Sequence, residues 1–387
     1  MKQKGNKALL ALTAASLGLP LVSKQTNAQT IPENWSTSYR YSEYSENEQP
    51  AELSADGAVD RYTIEVHQLT AGGPILPSTA ISLSLVSETM SGASPWFITP
   101  DADGEPVQTL SGATIEEQRD EVSVGIDQYG EHARTGFGVS FSSENDYESI
   151  GVRLNHSSYS DDKNSTIDFA IGGSVDSITP TQAPGIERPT SEGKSNVFGS
   201  VGLSHVFTRT LVVGISGSYS VFEGYLSDPY KLAWVDGNLL QDSRPDDKRQ
   251  AAFDLRVRKY LTGIDTALHA DYRHYGDSFG VVSDTLKLAA FKNLGSWQVS
   301  ASTRFYLQDS ANFYREFFVE TRADGYYSSD YRLSDFQALS YKVGLNKKFS
   351  FGAIRLSYEI YDSDSDDVNP GLVDFSLFSV GFDYSFR

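Results

Sequence analysis

The segment Ser376-Leu-Phe-Ser-Val-Gly-Phe-Asp-Tyr-Ser-Phe386 places a large apolar or aromatic side chain at every second position. Small or polar residues fill the positions between them. Because successive side chains of a strand point to opposite faces, this segment predicts a β-strand with one apolar face and one polar face. Such a strand suits the wall of a barrel that touches lipid outside and water inside.

The same period-two pattern recurs along the chain and predicts an all-β fold, a transmembrane antiparallel β-barrel of about 16 strands, with roughly fourteen to eighteen left open. A soluble β-sandwich also alternates, but its outer faces are rich in Lys and Glu, whereas the polar faces here carry mostly Ser, Gly, Asn and isolated charges. The predicted strands are 35–42, 61–69, 78–87, 120–129, 135–144, 147–158, 165–174, 195–206, 210–221, 249–261, 264–275, 282–292, 295–307, 335–347, 350–361 and 374–387.

The lengths of the connections support this count. Long connections all follow odd-numbered strands, and short ones follow even-numbered strands. This parity is expected of an outer-membrane barrel, which has long extracellular loops and short periplasmic turns. The connection at 145–146 is the exception, because it is short at a place where the parity predicts the outer side.

The first residues predict a secretory leader. Basic residues at positions 2, 4 and 7 precede a short apolar run at 8–21, and small residues at 26–28 precede Gln29. We therefore expect a signal peptide at residues 1–28 and an outer-membrane β-barrel domain at residues 29–387. The apolar run is shorter than the ~20 residues that a membrane helix needs. The chain has no cysteine, so its stability must come from the hydrogen-bonded sheet instead of disulfides.

The formal net charge of -19 argues against a nucleic-acid partner. The expected partners are outer-membrane lipid, lipopolysaccharide and the barrel-assembly machinery. Acidic loops either keep the surface soluble or bind divalent cations that bridge to lipopolysaccharide.

Charges on the polar faces are predicted to line the lumen, since a cation on the lipid face at mid-depth costs about 2–4 kcal/mol. They form either a lattice of ion pairs that stiffens the wall or a pore lining that favours anions. The predicted lumen-lining charges are Arg256, Arg258, His269, Asp271, Arg273, Lys287, Arg304, Lys342, Arg355 and Glu359.

Signals for catalysis are weak, and we expect no enzyme activity. The six histidines are scattered, and no H-E-x-x-H or G-x-S-x-G motif is present. No cofactor is predicted apart from a surface calcium site at Asp362, Asp364 and Asp366, whose D-x-D-x-D spacing lets carboxylates converge on Ca²⁺. The competing interpretation is a solvated acidic loop.

Several segments resemble an uncharacterised family of Gram-negative proteins known only as a domain of unknown function, number three-five-seven-zero. The resemblance covers most of the mature chain and implies an outer-membrane barrel without assigned catalytic residues. It also implies a small lipoprotein or a redox protein of the envelope as a partner. The segments that carry it are 91–95, 224–230, 244–246, 272–275, 306–314 and 327–334.

Phe386 is the predicted assembly signal, because barrel proteins usually finish on an aromatic residue that the assembly machinery reads. Here Arg387 follows it. The function predicted from the sequence is a passive or weakly anion-preferring channel for small polar solutes. The alternative is a non-conducting barrel that acts as a scaffold or receptor for an envelope partner.

Overall fold

The computed structural model describes residues 30–386 except 56, 58, 94, 111–114, 184 and 364–368, and leaves the side chains of 115 and 116 undescribed. The predicted leader at 1–28 lies outside these residues. The strands are β1 Trp35–Glu46, β2 Thr63–Leu76, β3 Thr79–Gly92, β4 Pro95–Pro100, β5 Pro106–Leu110, β6 Ile115–Tyr129, β7 Ala133–Ser143, β8 Tyr147–Tyr159, β9 Ser165–Ile178, β10 Glu192–Thr208, β11 Leu211–Gly224, β12 Leu232–Val235, β13 Asn238–Gln241, β14 Asp247–Leu261, β15 Thr266–Asp277, β16 Val282–Leu294, β17 Trp297–Gln308, β18 Phe336–Lys348, β19 Gly352–Ser363 and β20 Phe375–Phe386.

Sixteen of these strands form one closed antiparallel barrel, in the order β1-β2-β3-β6-β7-β8-β9-β10-β11-β14-β15-β16-β17-β18-β19-β20. The barrel closes where β1 pairs with β20, and Trp35 lies opposite Phe386 in that pair. The predicted fold class is therefore confirmed. Because the barrel is closed, its wall has no unpaired sheet edge. Strands in hydrocarbon require such closure, since unpaired backbone groups find no water to bind there.

Two short hairpins lie outside the barrel, β4 with β5 and β12 with β13. Helix is limited to two 3-10 turns in the described residues, Ala51–Leu53 and Tyr331–Leu333. Across the same residues, no helix has the length and apolar character needed to cross a membrane.

The connections sort by length onto the two ends of the barrel. The long connections, including both extra hairpins, all lie at one end, here called the long-loop end. The opposite end, the short-turn end, holds both chain termini of the barrel and turns as brief as 77–78 and 209–210. The short connection at 144–146 lies at the long-loop end, as the parity predicted.

Several strands extend further toward the long-loop end than the alternating pattern predicts. For example, β6 begins at Ile115 instead of 120, and β9 ends at Ile178 instead of 174. Apart from Val175, the outward-facing positions of these extensions lack large apolar side chains, so the alternation that marks a lipid-facing strand is missing there. They include Glu43, Thr89, Gln118 and Ser177.

Candidate functional site

The strand register divides the barrel side chains into an outer and an inner face that run continuously around the wall. Large apolar side chains of one face remain exposed in the isolated chain; Val343 is 59% exposed and Ile360 52%. This face is the outer one, because lipid is the only partner that would cover such a belt all round the barrel. The residues that alternate with it face the lumen.

All ten predicted lumen-lining charges lie on the inner face. They occupy six neighbouring strands, β14 to β19, and we call this part of the wall the basic arc. Their positions follow from the strand register, in which each lies directly opposite a residue of the neighbouring strand. The opposed pairs are Arg256 and Asp271, Arg258 and His269, Asp254 and Arg273, Asp271 and Lys287, Lys287 and Arg304, Lys342 and Glu359, and Asn346 and Arg355.

Every inward carboxylate of β14 to β20 is held by a cation. Each of these acids therefore has its nearest positive charge on the wall itself. The ion pairs are Arg258 Nη2 with Asp271 Oδ1 at 2.6 Å, Arg273 Nη1 with Asp254 Oδ1 at 3.1 Å, Lys248 Nζ with Asp277 Oδ2 at 2.9 Å, Lys342 Nζ with Glu359 Oε2 at 3.2 Å, and Arg355 Nη2 with Asp383 Oδ2 at 2.5 Å.

Three cations of the basic arc, Arg256, Lys287 and Arg304, have no carboxylate within ion-pair distance among the described residues. Arg304 packs instead on Tyr306, with its Cζ atom 5.1 Å from the ring centroid. His269 likewise lies against an aromatic ring, 4.6 Å from that of Phe291. The basic arc therefore carries surplus positive charge in a chain that is acidic as a whole.

The neighbouring wall, from β9 to β11, presents several small inward side chains beside larger ones such as Phe198. Ser200 pairs with Ser218, and Gly202 pairs with Ser216. These residues leave space between the wall and the barrel axis, whereas Arg and Lys of the basic arc reach into it.

The long loops form a second compact region, here called the cap, at the long-loop end. Of the eight largest side chains that are less than 2% exposed, seven lie in loops and only Glu88 lies in a barrel strand. The loop members are Tyr62, Ile98, Gln108, Val235, Ser328, Asp330 and Ser334. Among the described residues, most of the large side chains that are fully buried therefore lie in the loops.

A buried ionic network, the cap cluster, joins the loop between β11 and β14 to the loop between β17 and β18. Asp330, which is fully buried, accepts from Arg244 Nη2 at 2.8 Å and from Arg332 Nε at 2.8 Å. Arg332 Nη2 also donates to Asp228 at 2.9 Å, and Arg244 Nε donates to Asp242 at 2.8 Å. The hydroxyl of Ser328 donates to Asp242.

The charges of the cap cluster shift each other's pKa. Burial alone would raise the pKa of Asp330, but Arg332, Lys231 and Arg244 together lower it well below its usual range. Burial raises the pKa of Asp242, and Arg244 only partly opposes this. Burial also lowers the pKa of Lys231, whose ammonium donates to the carbonyl of Pro95 at 2.9 Å.

The Lys231 to Pro95 hydrogen bond crosses the mouth of the barrel. It joins a loop after the ninth strand of the ring to a loop after the third. Sixteen strands spaced ~4.8 Å apart and tilted ~40° enclose a cylinder roughly 30 Å across, so loops that meet in this way must reach over the lumen.

Further contacts tie other loops into the cap. Arg61 Nη1 donates to Gln108 Oε1 at 3.0 Å, and Asn369 Nδ2 donates to the hydroxyl of Tyr314 at 2.9 Å. The cap is therefore a single packed body in which the loops from most of the ring take part.

Two further sequence predictions concern the calcium site and the assembly signal. Asp364 and Asp366 of the predicted calcium site lie outside the described residues, and Asp362 ends the outer face of β19. No group of metal-ligating side chains occurs in the part of the chain that the structure describes. Phe386, the predicted assembly signal, is exposed on the outer face beside the barrel seam.

The cap cluster was not predicted from the sequence. A signal was nevertheless present, because the segments 224–230, 244–246 and 327–334 that carry the family resemblance contain most of its members. Loops without a specific role usually vary in sequence among related proteins. Loop segments that resemble a family therefore indicate a specific structural role.

Comparisons with solved structures give low similarity over most of the chain. A bacterial polysaccharide outer membrane secretin shares 9% identity, with 91% of this chain and 98% of that chain covered and a TM-score of 0.49. OmpT of Vibrio cholerae shares 9% identity, with 91% and 97% covered and a TM-score of 0.45. OpdK of Pseudomonas aeruginosa, solved with vanillate, shares 8% identity, with 92% and 99% covered and a TM-score of 0.43.

A search of curated proteins gave no match to this sequence. A family model does match, over residues 9–379. Because that match covers nearly the whole barrel, the chain belongs to the family described as "Protein of unknown function (DUF3570)".

Proposed function

We propose that this protein is an outer-membrane channel that passes small polar solutes and prefers anions. The observation that carries the proposal is the basic arc, in which Arg256, Lys287 and Arg304 face the lumen without a carboxylate partner in the described residues. Fixed cations along a pore attract anions and repel cations, and rings of Arg and Lys are the usual basis of anion selectivity.

The size of the barrel supports a conducting lumen. Barrels of 16–18 strands leave an aqueous channel, while barrels of about eight strands are filled by side chains. The small inward residues of β9 to β11 keep part of the lumen free. The cap crosses the long-loop end, so the channel would admit only solutes that fit between loops.

Planar-bilayer recording tests the proposal. The purified protein is inserted under a tenfold gradient of potassium chloride, and the reversal potential is measured. We expect the sign that corresponds to chloride preference, and a smaller preference in the double variant Arg256→Gln, Arg304→Gln. Cation preference, or no conductance from protein that is folded and inserted, would contradict the channel.

The cap favours a second candidate function, a non-conducting scaffold or receptor for an envelope partner. Its loops are packed as tightly as a protein core and would present a fixed surface on the long-loop side. A partner captured from native membranes, together with the absence of conductance, would favour this candidate over the channel.

Export and assembly complete the proposal. The leader at 1–28 would direct the chain to the periplasm, and the barrel-assembly machinery would insert it beside lipopolysaccharide, with Phe386 as its signal. A small lipoprotein remains a proposed partner, and we propose no enzyme activity. N-terminal sequencing of the protein from purified outer membranes tests both cleavage before Gln29 and the location.

A further inference from the structure

Four charged residues of the basic arc lie side by side across four strands. Arg256 on β14 pairs with Asp271 on β15, Asp271 pairs with Lys287 on β16, and Lys287 pairs with Arg304 on β17. Directly opposed residues on neighbouring strands have Cβ atoms about 4.5–5.5 Å apart. The row therefore brings three cations and one acid to one level of the wall.

The acid in this row makes its ion pair with a cation outside the row. Asp271 Oδ1 lies 2.6 Å from Arg258 Nη2, which belongs to the next inward position of β14. The other nearby acid, Glu359, is held at 3.2 Å by Lys342. Both acids are therefore engaged by cations outside the row.

Lys287 and Arg304 are left as directly opposed like charges. Such a pair is unfavourable in a sheet unless an anion lies between or above it. Within the described residues neither the ammonium nor the guanidinium makes a hydrogen bond, and Arg304 is positioned by the face of Tyr306 at 5.1 Å. The donors of both groups are free to bind a ligand from the lumen.

We propose that Lys287 and Arg304 form a binding site for a small oxyanion, a carboxylate or a phosphate, on the inner wall of the barrel. The guanidinium supplies a planar pair of N–H donors that matches two oxygens of such a group, and the ammonium supplies a second positive charge. Arg256 lies two strands away in the same row. The site deepens the proposed channel function, because it names the solutes that would interact with the lumen.

Calorimetric titration of the full protein in zwitterionic detergent at low salt tests this site. The probes are inorganic phosphate and acetate, with chloride at equal ionic strength as the reference. The variants are Lys287→Gln with Arg304→Gln, the charge-conserving Lys287→Arg, and Arg153→Gln. Arg153 is an inward cation on β8 that also lacks a carboxylate partner among the described residues, so it controls for the loss of one lumen charge.

We expect saturable binding of phosphate or acetate that is about tenfold or more weaker in the double glutamine variant. Lys287→Arg and Arg153→Gln should bind within about twofold of the unchanged protein, by the same relation between affinity and free energy. A greater affinity for phosphate than for acetate would identify the phosphate class, and the reverse would identify carboxylates. Folding of each variant is checked by its heat-modifiable migration in detergent gels.

Binding no stronger than that of chloride, or an equal loss in Arg153→Gln, would overturn the site. The measurement does not require conduction, so its outcome is separate from that of the channel. Binding without conductance would leave the site standing and remove the channel. Anion-selective conductance without binding would remove the site alone.

Discussion

The substitution Asp330→Asn should open the cap while leaving the barrel intact. Asp330 is fully buried and receives hydrogen bonds from Arg244 and Arg332, and Lys231 adds a third nearby positive charge. Asparagine keeps the shape of the side chain but removes its charge. The three cations would then face only Asp228 and Asp242.

The expected magnitude follows from the burial of the cluster. Removing one partner of a buried ion pair costs about 3–5 kcal/mol, because the other charge is left without compensation. Each 1.4 kcal/mol changes an equilibrium about tenfold. The population of the open cap should therefore rise by a factor of about 10² to 4 × 10³.

Limited proteolysis with trypsin measures that population. When loops open and close faster than they are cut, the cleavage rate is proportional to the open fraction. We expect cleavage after Lys231 and Arg332 to accelerate by roughly the same factor. Arg244 is not a site, because Pro245 follows it. The barrel band should keep its heat-modifiable migration, since the sheet does not depend on Asp330.

Asp324→Asn is the matched control. Asp324 lies in the same loop and pairs with Arg322 at 2.6 Å, but its side chain is 43% exposed. An exposed pair contributes at most about 1 kcal/mol, so its loss should change the rate about fivefold at most. Equal cleavage rates in Asp330→Asn and Asp324→Asn would refute the view that the cap cluster holds the loops.

Three further predictions concern pH, backbone geometry and assembly. Acidification from about pH 7.5 to 5 should not open the cap. The pKa of Asp330 is lowered, so its contribution to the stability of the cap is lost only well below pH ~4. The pKa of Asp242 is raised, so its contribution to that stability grows as pH falls. Hydrogen exchange of loop amides, corrected for intrinsic rates, checks this, and faster corrected exchange at the lower pH would contradict it. Gly92→Ala should destabilise the protein by about 2–4 kcal/mol in urea unfolding, because Gly92 has a φ of 120° and a Cβ there would collide with the carbonyl oxygen of Arg61; Gly276→Ala, where a Cβ meets nothing within 4 Å, should change little. Phe386→Ala should lower the folded fraction in outer membranes more than Phe378→Ala does, although both rings lie on the lipid face; equal effects would mean that Phe386 is ordinary lipid-facing surface.

The charges of the inner face show which features a short stretch of sequence can predict and which it cannot. Lys342 was predicted to face inward because Tyr341 and Val343 are apolar, and this inference needs only three consecutive residues. The structure places it on the inner face, opposite Glu359. Sequence could not show that Lys342 is paired while Lys287 is not, because that depends on the register across β15 to β19.

The two extra hairpins and the cap cluster could not be predicted from the alternation of apolar and polar residues, for a related reason. Asp228 and Arg332 are 104 positions apart in the chain yet share a hydrogen bond of 2.9 Å. Neither residue stands in a periodic segment, so no alternation marks it. Only the closure of the barrel brings their loops to the same mouth.

The alternation of apolar and polar residues was enough to predict the sixteen barrel strands, their lipid-facing and lumen-facing positions, and the end at which the long loops lie. Each barrel strand has one face in contact with lipid hydrocarbon, and this contact requires apolar residues at every second position of that strand. The tertiary structure was needed to show which inward cations have no carboxylate partner and which loops contact each other over the lumen. These features arise from contacts between strands and loops distant in the chain, and such contacts are fixed only when the sheet closes on itself.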